Sequence, residues 1–331
     1  MNSKNTLKII SSFWNWIFLL VILAFLEIFA RTAYETTFLL NPFVIQSVLL
    51  FTAAPLLIGI GQTFVIISGG IDLSVAFAMG LASVVFASII KFFAPEYALI
   101  AVVVAFIATS LIMLIPGFIN GTLISRLNVP PFIGTLGMYG VARGVGYLTA
   151  DGMTVPFKND IVFMIGTGKF FGIPIPVIIA LFFVVLAHYL LTYTKFGQHT
   201  YALGGNRQAA IRSGINIKKQ ILLIYMLCSV CAGMAGMIYA ARFSAGAPQA
   251  GEPLMLDAIA AVFIGGASFF GGSGKIIGTV IGALIIANIQ FGIVFIDIKP
   301  FWQFVVVGVV IIIAVVVDQS KNKLSGARTD E

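Results

Sequence analysis

Tyr201-Ala-Leu-Gly-Gly-Asn-Arg-Gln-Ala-Ala-Ile-Arg-Ser-Gly-Ile215 is a polar island in an apolar chain. Of the 331 residues, 60% are hydrophobic and 9% charged, and the mean hydropathy is +1.08. A soluble domain carries charge on about a quarter of its residues, so no sizeable water-soluble domain fits here. The island is too polar for hydrocarbon and belongs on a membrane surface. Ala209, Ala210, Ile211 and Ile215 give it an apolar stripe suited to a short helix. Such a helix can dock into a groove on a soluble partner.

The rest of the chain divides into windows of about 20 apolar residues, the length that crosses a bilayer. About ten occur, near 13–33, 44–68, 73–93, 97–119, 129–149, 175–193, 219–241, 255–272, 276–296 and 300–318. The expected fold class is an all-α polytopic membrane protein of about ten transmembrane helices, a single domain over 1–331. Pro130, Pro131 and Arg143 interrupt the fifth window, and Gly271-Gly-Ser-Gly274 ends the eighth. A broken or re-entrant helix is expected at either place, with its backbone buried in protein. The apolar run after Lys4 and Lys8 exceeds a signal-peptide core and is expected to stay as the first span. With the N-terminus inside, twelve lysines and arginines fall on the inner side and six on the outer, leaving Arg143 within a span. That bias places both termini and the 201–215 segment in the cytoplasm. It also accounts for the net charge of +7 without nucleic acid. The residues from about 319 to 331 read as a charged, disordered tail.

Enzyme chemistry finds little support. Gly274-Lys275 lacks the remainder of a phosphate loop, because Phe269 and Ile276 stand where Gly and Ser/Thr are needed. Gly266-Ala-Ser268-Phe superficially resembles an intramembrane serine protease motif. Its base would be a histidine in a later helix, yet His188 and His199 both precede it. Cys228 and Cys231 form a C-x-x-C inside an apolar helix with no second ligand pair, which reads as small-residue packing. No catalytic residue and no metal site is assigned. Gly140/Gly144, Gly233/Gly236 and Gly278/Gly282 have the spacing of close helix packing. Phe64-Val-Ile-Ile-Ser-Gly-Gly is echoed by Val262-Phe-Ile-Gly-Gly, a faint internal repeat.

Polar groups inside spans are costly, so they mark candidate sites. Glu27 can pair with Arg31. Asp72, after Gly69-Gly70 and before Ser74, can cap the next helix or serve in gating. Arg143 and Asp257 can neutralise each other. Gln46, Gln62, Asn120, Asn288 and Gln290 are candidates for a solute path, since amides both donate to and accept from a neutral polyhydroxylated solute. Their alternative role is interhelical hydrogen bonding. Too few carboxylates lie in mid-span for a proton relay.

Several segments together resemble one family, the inner-membrane permease subunits of ABC sugar importers of the ribose, xylose, arabinose and galactofuranose type. They are Gly61-Gln-Thr-Phe-Val-Ile-Ile-Ser-Gly-Gly-Ile-Asp-Leu-Ser-Val75, Asn128-Val-Pro-Pro-Phe-Ile-Gly-Thr-Leu-Gly-Met138 with Arg143-Gly144, the Tyr201–Ile215 stretch, and Leu256–Gly266 with Gly271–Gly274. The resemblance runs from about Asn41 to Asp318; it departs at Ala76, where the family has Gly. It implies a bacterial inner-membrane permease working as a dimer or with a sister permease. It also implies a separate ABC ATPase that holds ATP and Mg, and an extracytoplasmic sugar-binding protein docking near 150–174 and 242–256. Gly205, Asn206, Arg207, Ala209, Ala210, Arg212 and Gly214 would couple to the ATPase. Gly69, Gly70, Asp72, Ser74 and Asp257 would carry the signature and gating roles. Import by alternating access is then expected. The alternative is an ATP-independent facilitator or secondary transporter of a small neutral solute.

Overall fold

The computed structural model describes residues 3–324, with side chains at 14–313 and 316. It is an all-α polytopic membrane protein. In chain order the helices are α1 (Ser3–Ala33), α2 (Pro42–Ile67), α3 (Val75–Phe92), α4 (Ala98–Ser125), α5 (Pro131–Thr149), α6 (Asp160–Thr167), α7 (Ile175–Tyr193), α8 (Lys195–Gly205), α9 (Arg207–Arg212), α10 (Ile217–Phe243), α11 (Leu254–Ile264), α12 (Ile276–Phe295) and α13 (Trp302–Leu324). Four two-residue strands form two small antiparallel pairs: β1 (Val155–Pro156) with β4 (Ala245–Gly246), and β2 (Lys169–Phe170) with β3 (Ile173–Pro174).

Each of the ten apolar windows carries a helix. Seven helices are long and apolar enough to cross a membrane: α1, α2, α3, α4, α7, α10 and α12. α5 has the length, but Arg143 and its glycines and tyrosines dilute its apolar character. In α13 the sufficiently apolar part is the shorter Trp302–Ile313. α13 itself continues through Leu324, beyond the expected start of a disordered tail at 319; residues 325–331 lie outside the described residues.

The eighth window departs most from expectation. α11 ends at Ile264, and its last carbonyls are closed by the Gly265 N–H. Before it, the chain from 244 to 253 is non-helical and largely buried against α3. Small residues allow the approach: a Cβ at Gly80 would overlap the Pro248 carbonyl, and one at Gly251 would overlap that of Ala76. Backbone buried this way needs partners. Ser83 supplies them, its hydroxyl accepting from the Ala247 N–H at 3.0 Å and sharing its proton between the Gly80 carbonyl at 2.7 Å and the Ala247 carbonyl at 3.0 Å.

α10 is the central helix and packs on α2, α3 and α4. Glycines set these crossings, as lipid-solvated helices require. A Cβ at Gly61 would lie 2.7 Å from Cys228 Cα, and one at Gly117 2.5 Å from Met226 Cα. Cys228 and Cys231 are buried and form no disulfide, and the Cys228 thiol hydrogen-bonds the Asp72 carboxylate. Gly233, Gly236, Gly278 and Gly282 lie in close helix contacts, whereas Gly140 and Gly144 face outward from α5, with nothing among the described residues within 4 Å of an added Cβ.

Candidate functional site

The polar island folds as two helices at an elbow. α8 ends and α9 begins at Asn206, whose extended backbone (φ −156°, ψ 102°) breaks the helix between them. Asn206 serves both ends. Its N–H donates to the Ala202 carbonyl at 3.1 Å, and its Oδ1 accepts the Ala209 N–H at 2.9 Å. An amide N-cap of this kind is worth about 1 kcal/mol. Gly214, in the left-handed region at φ +79°, closes the turn after α9. Arg207, Ala209, Ile211 and Arg212 are exposed, and Ala210 alone of α9 is buried. α9 therefore turns one small residue inward and offers the rest to a partner.

Behind the elbow, three backbones meet. The Gly272 N–H donates to the Ile67 carbonyl at the end of α2, at 2.8 Å. Gly204, at the end of α8, lies against both: an added Cβ would overlap the Ile67 oxygen and stand 2.6 Å from the Gly272 nitrogen. Gly271 and Gly272 have φ of +83° and +75°, a conformation that favours glycine. Tyr201 adds a bond from its hydroxyl to the Gly274 carbonyl at 2.7 Å. The elbow is thus fastened to α2 and to the loop following α11. Sequence reasoning listed Gly205, which is exposed with open space at its Cβ position, and missed Gly204. The two segments of the internal echo also meet here, with Ile66, Val262 and Ala267 in one buried cluster.

A cleft of about 430 Å³ opens beside this junction, lined by Ser68, Gly69, Gly70, Asn128, Asn206, Arg207 and Tyr225 among others. Tyr225 bounds it, almost fully buried, its hydroxyl 3.4 Å from the Ile71 carbonyl. The signal for Tyr225 was present in the sequence: a tyrosine inside an apolar helix needs a partner for its hydroxyl.

Next to Tyr225 lies a buried polar cluster. Asp72 Oδ1 accepts from the Ser74 N–H (2.9 Å) and the Ser74 hydroxyl (2.6 Å) at the entry to α3. Asn120 donates to Ser74 Oγ at 2.9 Å, and Gln62 donates to the Asp72 carbonyl. The structure therefore joins two of the candidate path amides, Gln62 and Asn120, to the signature residues Asp72 and Ser74. All four are at most 1% exposed.

The other candidates lie elsewhere. Gln290 donates to Asp257 Oδ2 at 2.6 Å. Asn288 donates to the Leu284 carbonyl of its own helix. Gln46 is half-buried and ties α2 to the β2–β3 hairpin, accepting from Lys169 Nζ at 2.6 Å and donating to the Gly172 carbonyl at 3.2 Å. Arg143 does not pair with Asp257. Its guanidinium sits 5.2 Å above the Phe77 ring and 6.0 Å from that of Tyr147, because Gln290 already holds the carboxylate and the aromatic faces offer the cation a nearer partner. Glu27 pairs with Arg31 at 2.6 Å and also accepts the N–H groups of Phe38 and Leu39.

Comparison with known proteins gives a consistent set. A family model described as "Branched-chain amino acid transport system / permease component" matches residues 44–315. The chain is 41% identical over 285 residues to the ribose import permease protein RbsC of Bacillus subtilis, covering 86% of this chain and 87% of that protein. It is 38% identical over 275 residues to RbsC of Escherichia coli K12, covering 82% and 84%. It is 34% identical over 364 residues to the xylose transport system permease protein XylH of Haemophilus influenzae, covering 92% and 94%. These relatives are transport permeases rather than enzymes. No solved structure matches the chain.

Proposed function

Since this chain belongs to the branched-chain amino acid transport system / permease component family, and the relatives it matches there are sugar permeases, we propose that it is the membrane permease of an ATP-driven sugar importer. In this reading it receives a ribose-like pentose or related monosaccharide from an extracytoplasmic binding protein and passes it to the cytoplasm by alternating access. The observation that carries the reading is the 41% identity to a ribose import permease across 86% of this chain.

The geometry supports a division of labour. α9 is the docking element for an ABC ATPase, with Arg207 and Arg212 orienting the contact through charge and Asn206 holding the elbow angle. ATP and Mg bind on that partner. Closure of the ATPases displaces α8 and α9, and the glycine junction carries the displacement to α2 and to the loop after α11. The Asp72 cluster sits directly on that route, since Gly69 and Gly70 lead from the junction to Asp72. Rigid helices rocking about such a junction form a two-state device of the hinge-and-shear kind. A second permease, either another copy or a sister chain, completes the path. The protein sits in the bacterial inner membrane with both termini cytoplasmic.

The test is ATPase activity and sugar uptake in proteoliposomes holding the permease, its co-purified ATPase and the binding protein. Stimulation of hydrolysis by binding protein loaded with D-ribose, D-xylose, D-allose or D-galactose is the expected result. Uptake by the permease alone, independent of ATP, would overturn the reading in favour of a facilitator.

A further inference from the structure

Three buried oxygens in the Asp72 cluster share one deficit. Asp72 Oδ2, Gln62 Oε1 and Asn120 Oδ1 receive no N–H or O–H hydrogen bond among the described residues. An ionised carboxylate and an amide oxygen only accept, so none of the three can serve another. Turning the amides over does not help. The Ser74 hydroxyl gives its proton to Asp72 Oδ1, so toward Asn120 it can only accept, and the Asn120 nitrogen must face it. The Asp72 carbonyl likewise only accepts, so the Gln62 nitrogen must face it. Both amide oxygens are therefore fixed without a donor. Charge adds to the deficit, because an unpaired carboxylate is costly to bury and neutralises instead. No lysine, arginine or histidine among the described residues pairs with Asp72. The titratable groups that face it are Tyr225 and Cys228 of α10. Tyr225 turns its hydroxyl to the Ile71 carbonyl, and a thiol is a weak donor. From the other elements, α2 presents Gln62, the entry to α3 presents Ser74, and α4 presents Asn120. The Asn120 amide also lies beside the carboxylate without bonding Oδ2. Thr135 of α5 gives its hydroxyl proton to backbone carbonyls.

We propose that Asp72, in the connection between α2 and α3, is a proton-binding site, held as the un-ionised acid with its Oδ2 proton given to the waiting amide oxygens of Gln62 and Asn120. One proton removes the buried charge and turns an unmet acceptor into the missing donor. It thereby ties the entry of α3 to α2 and α4. On ionisation the O–H bond breaks, its electron pair stays on Asp72, and the proton passes to water in the cleft beside Tyr225. The cluster then holds only acceptors, and the carboxylate repels the amide oxygens of both neighbouring helices. Gly69 and Gly70 lead from Asp72 to the glycine junction, so ionisation loosens the connection through which the elbow moves the bundle. The proton acts as a regulatory ligand, and alkaline conditions uncouple the permease. This consequence for coupling rests on the importer reading; the protonation of Asp72 does not.

The test uses Asp72→Asn, which mimics the protonated acid: it keeps an acceptor for Ser74 and offers N–H donors to both waiting amide oxygens. Infrared difference spectra of the full-length permease, wild type minus Asp72→Asn, read the proton directly. The C=O stretch of a protonated carboxyl is expected at neutral pH, with its loss as pH is raised. A carboxylate band alone at neutral pH overturns the proposal. Melting of the two proteins is followed over the same pH series. A folded state that holds a proton the unfolded chain has released loses stability as pH rises, so wild type is expected to fall relative to Asp72→Asn. Parallel melting across the series overturns the proposal. So does stabilisation of wild type by sodium or potassium chloride over choline chloride that Asp72→Asn abolishes, because a metal ion is then the neutralising charge. If Asp72→Asn does not fold, Gln62→Leu deletes one waiting oxygen and should move the loss of the band to lower pH; an unmoved band overturns the proposal. In proteoliposomes with the ATPase and binding protein, sugar-stimulated hydrolysis by wild type relative to Asp72→Asn should fall about threefold or more at alkaline pH. A constant ratio overturns the regulatory role. A wild-type complex that imports no sugar at any pH overturns the importer reading, while the infrared and melting results still decide the proton.

Discussion

Gly204→Ala adds one carbon where three backbones meet. That carbon would overlap the Ile67 carbonyl and stand 2.6 Å from the Gly272 nitrogen. Favourable contacts to carbon lie at about 3.5–4.0 Å, so α8 must retreat from the junction by about 1 Å or more. If α8 holds its place instead, the added carbon wedges between Ile67 and Gly272, and their bond, now 2.8 Å, is stretched beyond the limit of about 3.2 Å for a useful N–H···O contact. Losing it leaves a half-buried amide unpaired at up to about 1–3 kcal/mol, and overpacking costs about 1–3 kcal/mol. The expected cost of about 1–6 kcal/mol falls on the contact between the elbow and the bundle, leaving α9 and Asn206 intact. ATPase subunits should still bind, and basal hydrolysis should persist. Sugar-stimulated hydrolysis and uptake should fall at least tenfold. Gly205→Ala is the control: its Cβ meets nothing among the described residues within 4 Å, so coupling should stay within twofold of wild type. Both assays run in the same proteoliposomes. Equal behaviour of the two variants, or full coupling in Gly204→Ala, would refute the junction as the route of transmission.

Asn206→Ala removes the cap of α9 and should weaken ATPase co-purification by about fivefold, matching about 1 kcal/mol, with Asn206→Asp restoring most of it. Ser83→Ala leaves both polar groups of Ala247 without their partner hydroxyl at a cost of about 2–4 kcal/mol; the detergent-solubilised protein should melt several degrees lower in a thermal shift assay. Asp72→Leu strands the Ser74 amide and hydroxyl and should abolish transport with reduced expression, whereas Asp72→Asn keeps an acceptor for Ser74 and should retain the folded protein as judged by size-exclusion chromatography.

The helices and the elbow were legible because their signals are local. Apolar length marks a span, and a polar gap with Asn206 ahead of Ala209 and Ala210 marks a capped helix. The Gly61–Val75 block was recognisable for the same reason, though sequence left open whether Asp72 caps or gates. Its observed bonds go to the N–H and hydroxyl of Ser74 ahead of α3, which has no side-chain cap, and Ser74 in turn ties to Asn120 on α4. What stayed hidden depends on contacts between distant segments. Gly204 looks no different in sequence from Gly205, because its requirement comes from Ile67 and Gly272 arriving on the same spot. Gly140 and Gly144 show the opposite case, a packing motif whose partner is not supplied by this fold. The non-helical 244–253 segment was read as loop because small residues and two prolines, Pro248 and Pro253, serve equally in a solvated connection and in turns packed against a helix. Contacts from α3, through Ala76, Gly80 and Ser83, distinguish them. The residues that most constrain motion in this bundle are thus the ones whose side chains are smallest, since there the backbone itself makes the contact and leaves little chemistry in the sequence to read.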